Sequence, residues 1–165
     1  MSRIALRPFT LDDAAFIVEL LNDTDWLRFI GDRGVRTLDD ARAYLQSGPI
    51  AHAAAHGFAL GAVIATGRDT PIGMCGLIRR EGLDDVDLGY AFLPAARGRG
   101  YAREAAAAWL ARGFDDFGLK RIVAITKPDN GPSQRVLEGI GMRFERRLRL
   151  PAHEEDSLLY AVTRP

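Results

Sequence analysis

Val86-Asp87-Leu88-Gly89-Tyr90-Ala91-Phe92-Leu93-Pro94, followed two residues later by Arg97-Gly98-Arg99-Gly100-Tyr101-Ala102, is the stretch on which the reading of this chain turns. Its first half alternates. Val86, Leu88, Tyr90 and Phe92 fall on one face of an extended strand and Asp87, Gly89 and Ala91 on the other, with Pro94 as the stop. Beyond the glycines, Ala102, Ala106, Trp109, Leu110, Gly113 and Phe117 form one stripe of an amphipathic helix that Gly118 closes. A strand, a glycine-rich turn and a helix in that order aim several free backbone N–H groups at one point, backed by the positive helix terminus. Such a point holds phosphate. Gly98 and Gly100 lack the Cβ atoms that would keep a phosphate off the amides, and Arg97, Arg99 and Arg103 place positive charge at the rim.

Other glycine-rich sites fit less well. A Rossmann turn needs G-x-G-x-x-G after a buried first strand, whereas here G-x-G-x-A comes late in the chain. No Gly-Lys-Ser/Thr follows, as a Walker loop requires, and a single RGRG copy between a strand and a helix is unlike a disordered RNA-binding tract. An ordinary strand-to-helix turn is the remaining alternative.

Working outward, Ile4–Leu6 before Pro8 predicts a strand. Thr10-Leu11-Asp12-Asp13 and Thr37-Leu38-Asp39-Asp40 each pair a hydroxyl cap with an acid three residues on. Two helices are expected there, the first to about Leu21, the second ending at Gly48-Pro49. The segment between them, 22–35, mixes acids, glycines and the large apolar residues Trp26, Phe29 and Ile30, and reads as an irregular, mobile segment on the substrate side. Residues 58–66 and 72–78 predict a β-hairpin around Gly67–Pro71. Residues 121–126 predict a strand, 132–140 a helix ended by Gly141, 142–150 an alternating strand and 157–163 a last strand. The whole predicts one α/β domain over residues 1–165, a mixed sheet of six or seven strands with helices packed against it.

The 165 residues, 47% of them hydrophobic, suffice for one core. The 22 basic and 22 acidic side chains cancel, so no global charge draws the chain to nucleic acid or to an anionic membrane. Charges at Arg3 and Arg7 interrupt any leader-like apolar run, which predicts a cytoplasmic protein. The lone Cys75 lies in an apolar run and reads as a core residue. His52 and His56 have helical i, i+4 spacing but no third ligand nearby, so no metal is expected and both read as surface or packing residues. His153 reads as a loop residue that could face the acceptor. Arg143, Arg146, Arg147 and Arg149 read as a charged sheet face or edge.

Leu88-Gly89-Tyr90 leading into Arg97-x-x-Gly100-x-Ala102, with Glu104-Ala105 after it, resembles the acetyl-CoA motif of the GNAT family of N-acetyltransferases. Downstream, Asn130, Ser133, Val136-Leu137 and Gly141-Met142 are similar to the N-x-x-S-x-x-V-L-x-x-x-G-F stretch of the RimJ/RimL-like branch, which acetylates ribosomal-protein N-termini. Leu6-Arg7-Pro8 and Asp156-x-Leu158-Leu159-Tyr160 match the same branch, so the likeness spans nearly the whole chain. It implies the GNAT fold, with a mostly antiparallel twisted sheet, and an acyl-CoA-dependent N-acyltransferase with acetyl-CoA as co-substrate. The acceptor is then a small-molecule amine or a protein N-terminus. A non-catalytic CoA-binding or sensor module is the alternative, and monomer and homodimer are both compatible.

The resemblance also implies roles. Phe92 and Leu93 offer backbone groups to the pantetheine arm and the oxyanion; Arg97, Gly98, Arg99, Gly100, Tyr101 and Ala102 hold the pyrophosphate; Asn130 bonds the pantetheine or acyl region. Ser133 points at the thioester sulfur as the proton donor, since position 137 is Leu where many relatives carry a tyrosine. Asp87 is the candidate base or the counter-ion of the incoming amine, with a solvated strand carboxylate as the alternative.

Overall fold

The computed structural model describes residues 2–165. Seven strands form one sheet: β1 (Ile4–Pro8), β2 (Leu60–Ala65), β3 (Gly73–Ile78), β4 (Val86–Phe92), β5 (Arg121–Thr126), β6 (Arg143–Leu148) and β7 (Ser157–Thr163). Their order is β1-β2-β3-β4-β5-β7-β6. Every neighbouring pair is antiparallel except β4 and β5. That pair is joined in parallel only through Val86 with Ile122 and Asp87 with Val123; from Leu88 onward β4 departs from β5.

Six helices cover the sheet: α1 (Ala14–Leu21), α2 (Thr24–Phe29), α3 (Leu38–Leu45), α4 (Ala51–His56), α5 (Tyr101–Asp115) and α6 (Gly131–Gly139). Both expected capping boxes are present: Thr10 and Asp13 exchange bonds before α1, Thr37 and Asp40 before α3. α5 buries Ala105, Ala106, Trp109 and Leu110 against Cys75, Leu77, Val86 and Leu88 on one face of the sheet. On the opposite face, Ile17, Leu20, Trp26 and Leu45 pack against Ala62 and Met74. β4 therefore has protein on both sides. No helix among the described residues is long and apolar enough to cross a membrane.

Three expectations need correction. Segment 22–35 contains a regular element: Asp23 accepts from the N–H groups of Asp25 and Trp26 and starts α2. The helical path does not stop at Gly48-Pro49. It widens into a π-turn over Gln46–Ile50, where the missing Pro49 N–H costs little, and continues as α4 until Gly57 at φ 83°. The α5 stripe ends on Phe114, because the helix stops at Asp115 and Phe117 lies past it, edge-on to Phe58. β6 is the sheet edge, exposed from Arg143 to Arg147, in line with a charged edge.

Gly76 of β3 fixes how closely β2 can approach. A Cβ there would lie 2.0 Å from the Ala59 carbonyl oxygen, a backbone atom that cannot turn aside. Gly76→Ala should therefore destabilise the fold by about 1–3 kcal/mol. Urea unfolding of parent and variant would check this, the expected outcome being a lower midpoint with an unchanged slope.

Candidate active site

The departure of β4 from β5 opens a cleft that runs through the sheet, with a cavity at each mouth. On the α5 side, a cavity of about 920 Å³ is lined by Phe92, Arg97, Gly98, Gly100, Ala102 and Asn130, among others. Across the sheet, one of about 480 Å³ is lined by Tyr44, His52, Arg79, Arg80, Asp87 and His153, among others. Trp26, Phe29 and Ile30 of the α2 region, with Tyr90, Lys127 and Ser133, line both. The two cavities thus share a wall at Tyr90 and Ser133.

The glycine turn has the predicted shape. Gly98 and Gly100 adopt φ 73° and 83°, and Gly100 is the N-cap of α5. None of the amides from Gly98 to Arg103 donates to a backbone carbonyl among the described residues; the first that does is Glu104, to Gly100. These consecutive free donors at the start of a fifteen-residue helix fit a pyrophosphate.

The arginines are arranged differently from the expectation. Arg97 donates through Nε to the Phe92 carbonyl (3.1 Å), through Nη1 to Asp25 (2.9 Å) and through Nη2 to Asp23. It ties α2 to the end of β4, so its charge is already matched. Arg103 reaches the Gly139 carbonyl at 2.8 Å. Arg99 is exposed and does not line the cavity. The positive rim expected from sequence is carried by backbone amides, with side chains in support. Leu93 also differs: its N–H is given to the Ile72 carbonyl at 3.0 Å, and its side chain packs in the Trp26 cluster.

Asn130 caps α6, its Oδ1 accepting from the Ser133 N–H at 3.3 Å. Ser133 Oγ lies 2.8 Å from the Tyr90 hydroxyl, which is also 3.1 Å from the Ser133 carbonyl. Since a carbonyl can only accept, the Tyr90 O–H serves it and the Ser133 O–H turns to the phenol oxygen. Burial raises the Tyr90 pKa and keeps the phenol protonated, against the opposing effect of its Ser133 bond. The sequence reading missed Tyr90 as a site residue. Its alternation placed the ring in the α5 layer, where the ring does pack, but nothing in the pattern shows that the hydroxyl crosses the cleft to a residue 43 positions on.

Asp87 is not a solvated carboxylate, as one reading of the sequence allowed. It is 1% exposed, because α1 to α4 cover this face of β4. Oδ2 accepts from Arg80 Nε at 2.7 Å, and Oδ1 has no hydrogen-bond donor among the described residues. Desolvation pushes its pKa up to about 6, against the attraction of Arg80. His153 lines the same cavity; burial, and then Lys127, Arg80 and Arg33, lower its pKa. His52 Nδ1 donates to the Phe58 carbonyl (2.7 Å) and Nε2 accepts from the Arg79 N–H (3.0 Å), a packing role that fixes its tautomer. Cys75 is buried in the core, and burial raises its pKa.

A family model described as "Acetyltransferase (GNAT) domain" matches residues 3–143, and the chain belongs to that family. It is 34% identical over 143 residues to the uncharacterized N-acetyltransferase YnaD of Bacillus subtilis (strain 168), covering 87% of this chain and 81% of that protein. A GNAT-family acetyltransferase of Bacillus anthracis superposes with a TM-score of 0.82 at 32% identity, over 98% of this chain and 95% of that one. Mycobacterium smegmatis RimJ, solved with CoA-disulfide, shares the fold at a TM-score of 0.81 and 24% identity, over 97% of this chain and 81% of that one.

The raised Asp87 pKa has a consequence for stability. Between the ordinary value of 3.8 and about 6 the folded chain holds a proton on Asp87 that the unfolded chain has released. This group therefore favours folding in acid, and its contribution is lost as pH rises through about 6. Asp87→Asn has no such titration, so the unfolding free energy of the parent minus that of the variant should fall between about pH 4 and 6. Urea unfolding across that range checks the sign, and a flat difference would contradict the burial effect.

Proposed function

We propose that this chain transfers an acetyl group from acetyl-CoA to a primary amine by direct attack, in the manner of the RimJ/RimL-like branch, on a small molecule or a protein N-terminus. The observation that carries the reading is the shared wall: a cavity ending in free helix N-terminal amides and a cavity holding a buried carboxylate meet at Tyr90 and Ser133. Two reactants entering from opposite faces would meet there.

Acetyl-CoA supplies the acyl group as a thioester. The amides of Gly98 to Arg103, aimed by the two left-handed glycines, bind its pyrophosphate. Past Asp87 the edge of β4 that faces β5 is unladdered, and its backbone groups, apart from the Phe92 carbonyl that Arg97 occupies, are available to the pantetheine arm. An N–H on this edge serves the oxyanion; Leu93 does not, because Ile72 already takes its proton.

Asp87 receives the proton of the incoming ammonium, directly or through water, since its free Oδ1 belongs to the acceptor cavity and its pKa of about 6 suits a base near neutrality. Held at a raised pKa, it accepts a proton more readily than an ordinary carboxylate. Ser133 protonates the departing thiolate and regains its proton from water, while Tyr90, whose phenol oxygen accepts from the Ser133 hydroxyl beforehand, holds that hydroxyl in place. Asn130 works one step back by fixing the first turn of α6 and so the place of Ser133.

Acetyl-CoA at about a hundred times its Kd should stabilise the fold by about 2.7 kcal/mol and raise Tm by several degrees. Gly100→Glu, which puts bulk and negative charge on the amide cradle, should abolish the shift. Ala102→Glu, at an ordinary helical position, is a second variant free of left-handed strain. A full shift in both would refute the pyrophosphate site. Ser133→Ala should lower turnover roughly tenfold or more while leaving CoA affinity within a few-fold. Unchanged turnover would remove Ser133 as the acid.

A further inference from the structure

The acceptor cavity is unbalanced in charge. Among the described residues Asp87 is the only acid that lines it, and that carboxylate is already bonded to Arg80. Arg33, Arg79 and Lys127 line it as well. Arg33 has no ion pair among the described residues; its neighbour Asp32 is taken by Arg36. The Arg79 side chain has none among the described residues either, and Lys127 has only a long contact of 4.0 Å to the exposed Glu155. The larger cavity also carries two arginines without an ion pair among the described residues, Arg103 and Arg135, but there three acids, Asp23, Asp25 and Asp129, each bonded to an arginine, offset part of the charge.

Two arginines without an ion pair and a lysine that is only loosely paired, around one cavity, repel a second cation and attract an anion. Burial first, and then Lys127, Arg80 and Arg33, disfavour the charged form of His153 in the same cavity. Trp26, Phe29, Ile30 and Tyr44 supply an apolar wall beside the cations. At about 480 Å³ the space is that of a small-molecule site.

We infer that the acceptor is a small zwitterion of the amino-acid kind, whose amine faces Asp87 and whose anionic group, a carboxylate or its phosphonate equivalent, is held by Arg33, Arg79 and Lys127. This rests on the acetyltransferase reading of the same cavity. It narrows the acceptor by its second charge: polycationic amines are disfavoured, and an amine whose carboxylate is masked loses its anchor. A charge-assisted contact of ordinary strength corresponds to roughly tenfold in affinity.

The test is a matched series offered to the full chain with acetyl-CoA: phenylalanine, its amide, its aminophosphonate analogue, a short peptide beginning with the same residue, and spermidine. Thiol release gives kcat/KM for each, and calorimetry gives the affinity of each for the chain saturated with CoA. Phenylalanine or the phosphonate should exceed the amide roughly tenfold, with spermidine last, and the double variant Arg33→Gln, Arg79→Gln should erase the preference. The phosphonate against the carboxylate tells which anion the site prefers. Equal use of the acid and its amide, a preference for spermidine or the peptide, or a preference that survives the double variant would overturn the inference. If no amine releases thiol, the transferase reading fails, and the binding series still decides: tighter binding of the anionic members upholds the charge inference, and equal binding overturns it.

Discussion

Two bridges, Val86 to Ile122 and Asp87 to Val123, are the whole of the parallel contact between β4 and β5, and every feature of the site depends on the sheet parting just beyond them. Continuous pairing would close the cleft, separate the cavities and cover the edge of β4. The parting is stable because each strand is held from its other side: β4 by the full antiparallel ladder to β3, β5 by the ladder to β7. Helices then bridge the opening. α5 packs on β3 and β4, and α6 on β5 and α5, so the cleft mouth lies between the two helix starts that carry the glycine turn and Ser133.

At the last bridge sits Asp87, and its burial there is costly. A carboxylate removed from water loses hydration that one arginine, itself partly exposed, does not fully restore. The raised pKa and the unbonded Oδ1 are two signs of the same deficit. A site under no demand beyond stability would be expected to fill this position with an apolar residue of β4. Retaining an under-bonded carboxylate in the wall of the smaller cavity is consistent with a place where a proton is exchanged.

Much of this was legible in the sequence, for reasons that can be named. The Thr10 and Thr37 capping boxes, the alternation of β4 and the glycines before α5 are local: each depends on residues within one turn or one strand, and each formed as read. What escaped depends on distant partners. α2 was hidden because its residues are mixed in character and its Asp23 cap is also held by Arg97, 74 positions away. The π-turn at Pro49 was hidden because proline reads as a stop unless the helix widens around it. Asp87 looked like one acid among several in 84–87, and only the helices of the first half of the chain, folded over the far face of the sheet, bury it alone. Tyr90 was placed on the correct face, yet its hydroxyl partner belongs to α6.

Arg97 shows how the two halves of the site are made interdependent. By binding Asp23, Asp25 and the Phe92 carbonyl at once, it fastens α2, which carries Trp26 and Phe29 in the wall between the cavities, to the strand end from which the glycine turn departs. Its charge is then unavailable for general attraction of phosphate, and the turn depends on directional backbone donors, which favour an anion of the right shape over any anion. Around the smaller cavity Arg33 and Arg79 are side chains without an ion pair among the described residues, a softer and longer-ranged field. One mouth thus offers fixed backbone donors and the other charged side chains, and the two cavities meet at the wall that Arg97 holds in position.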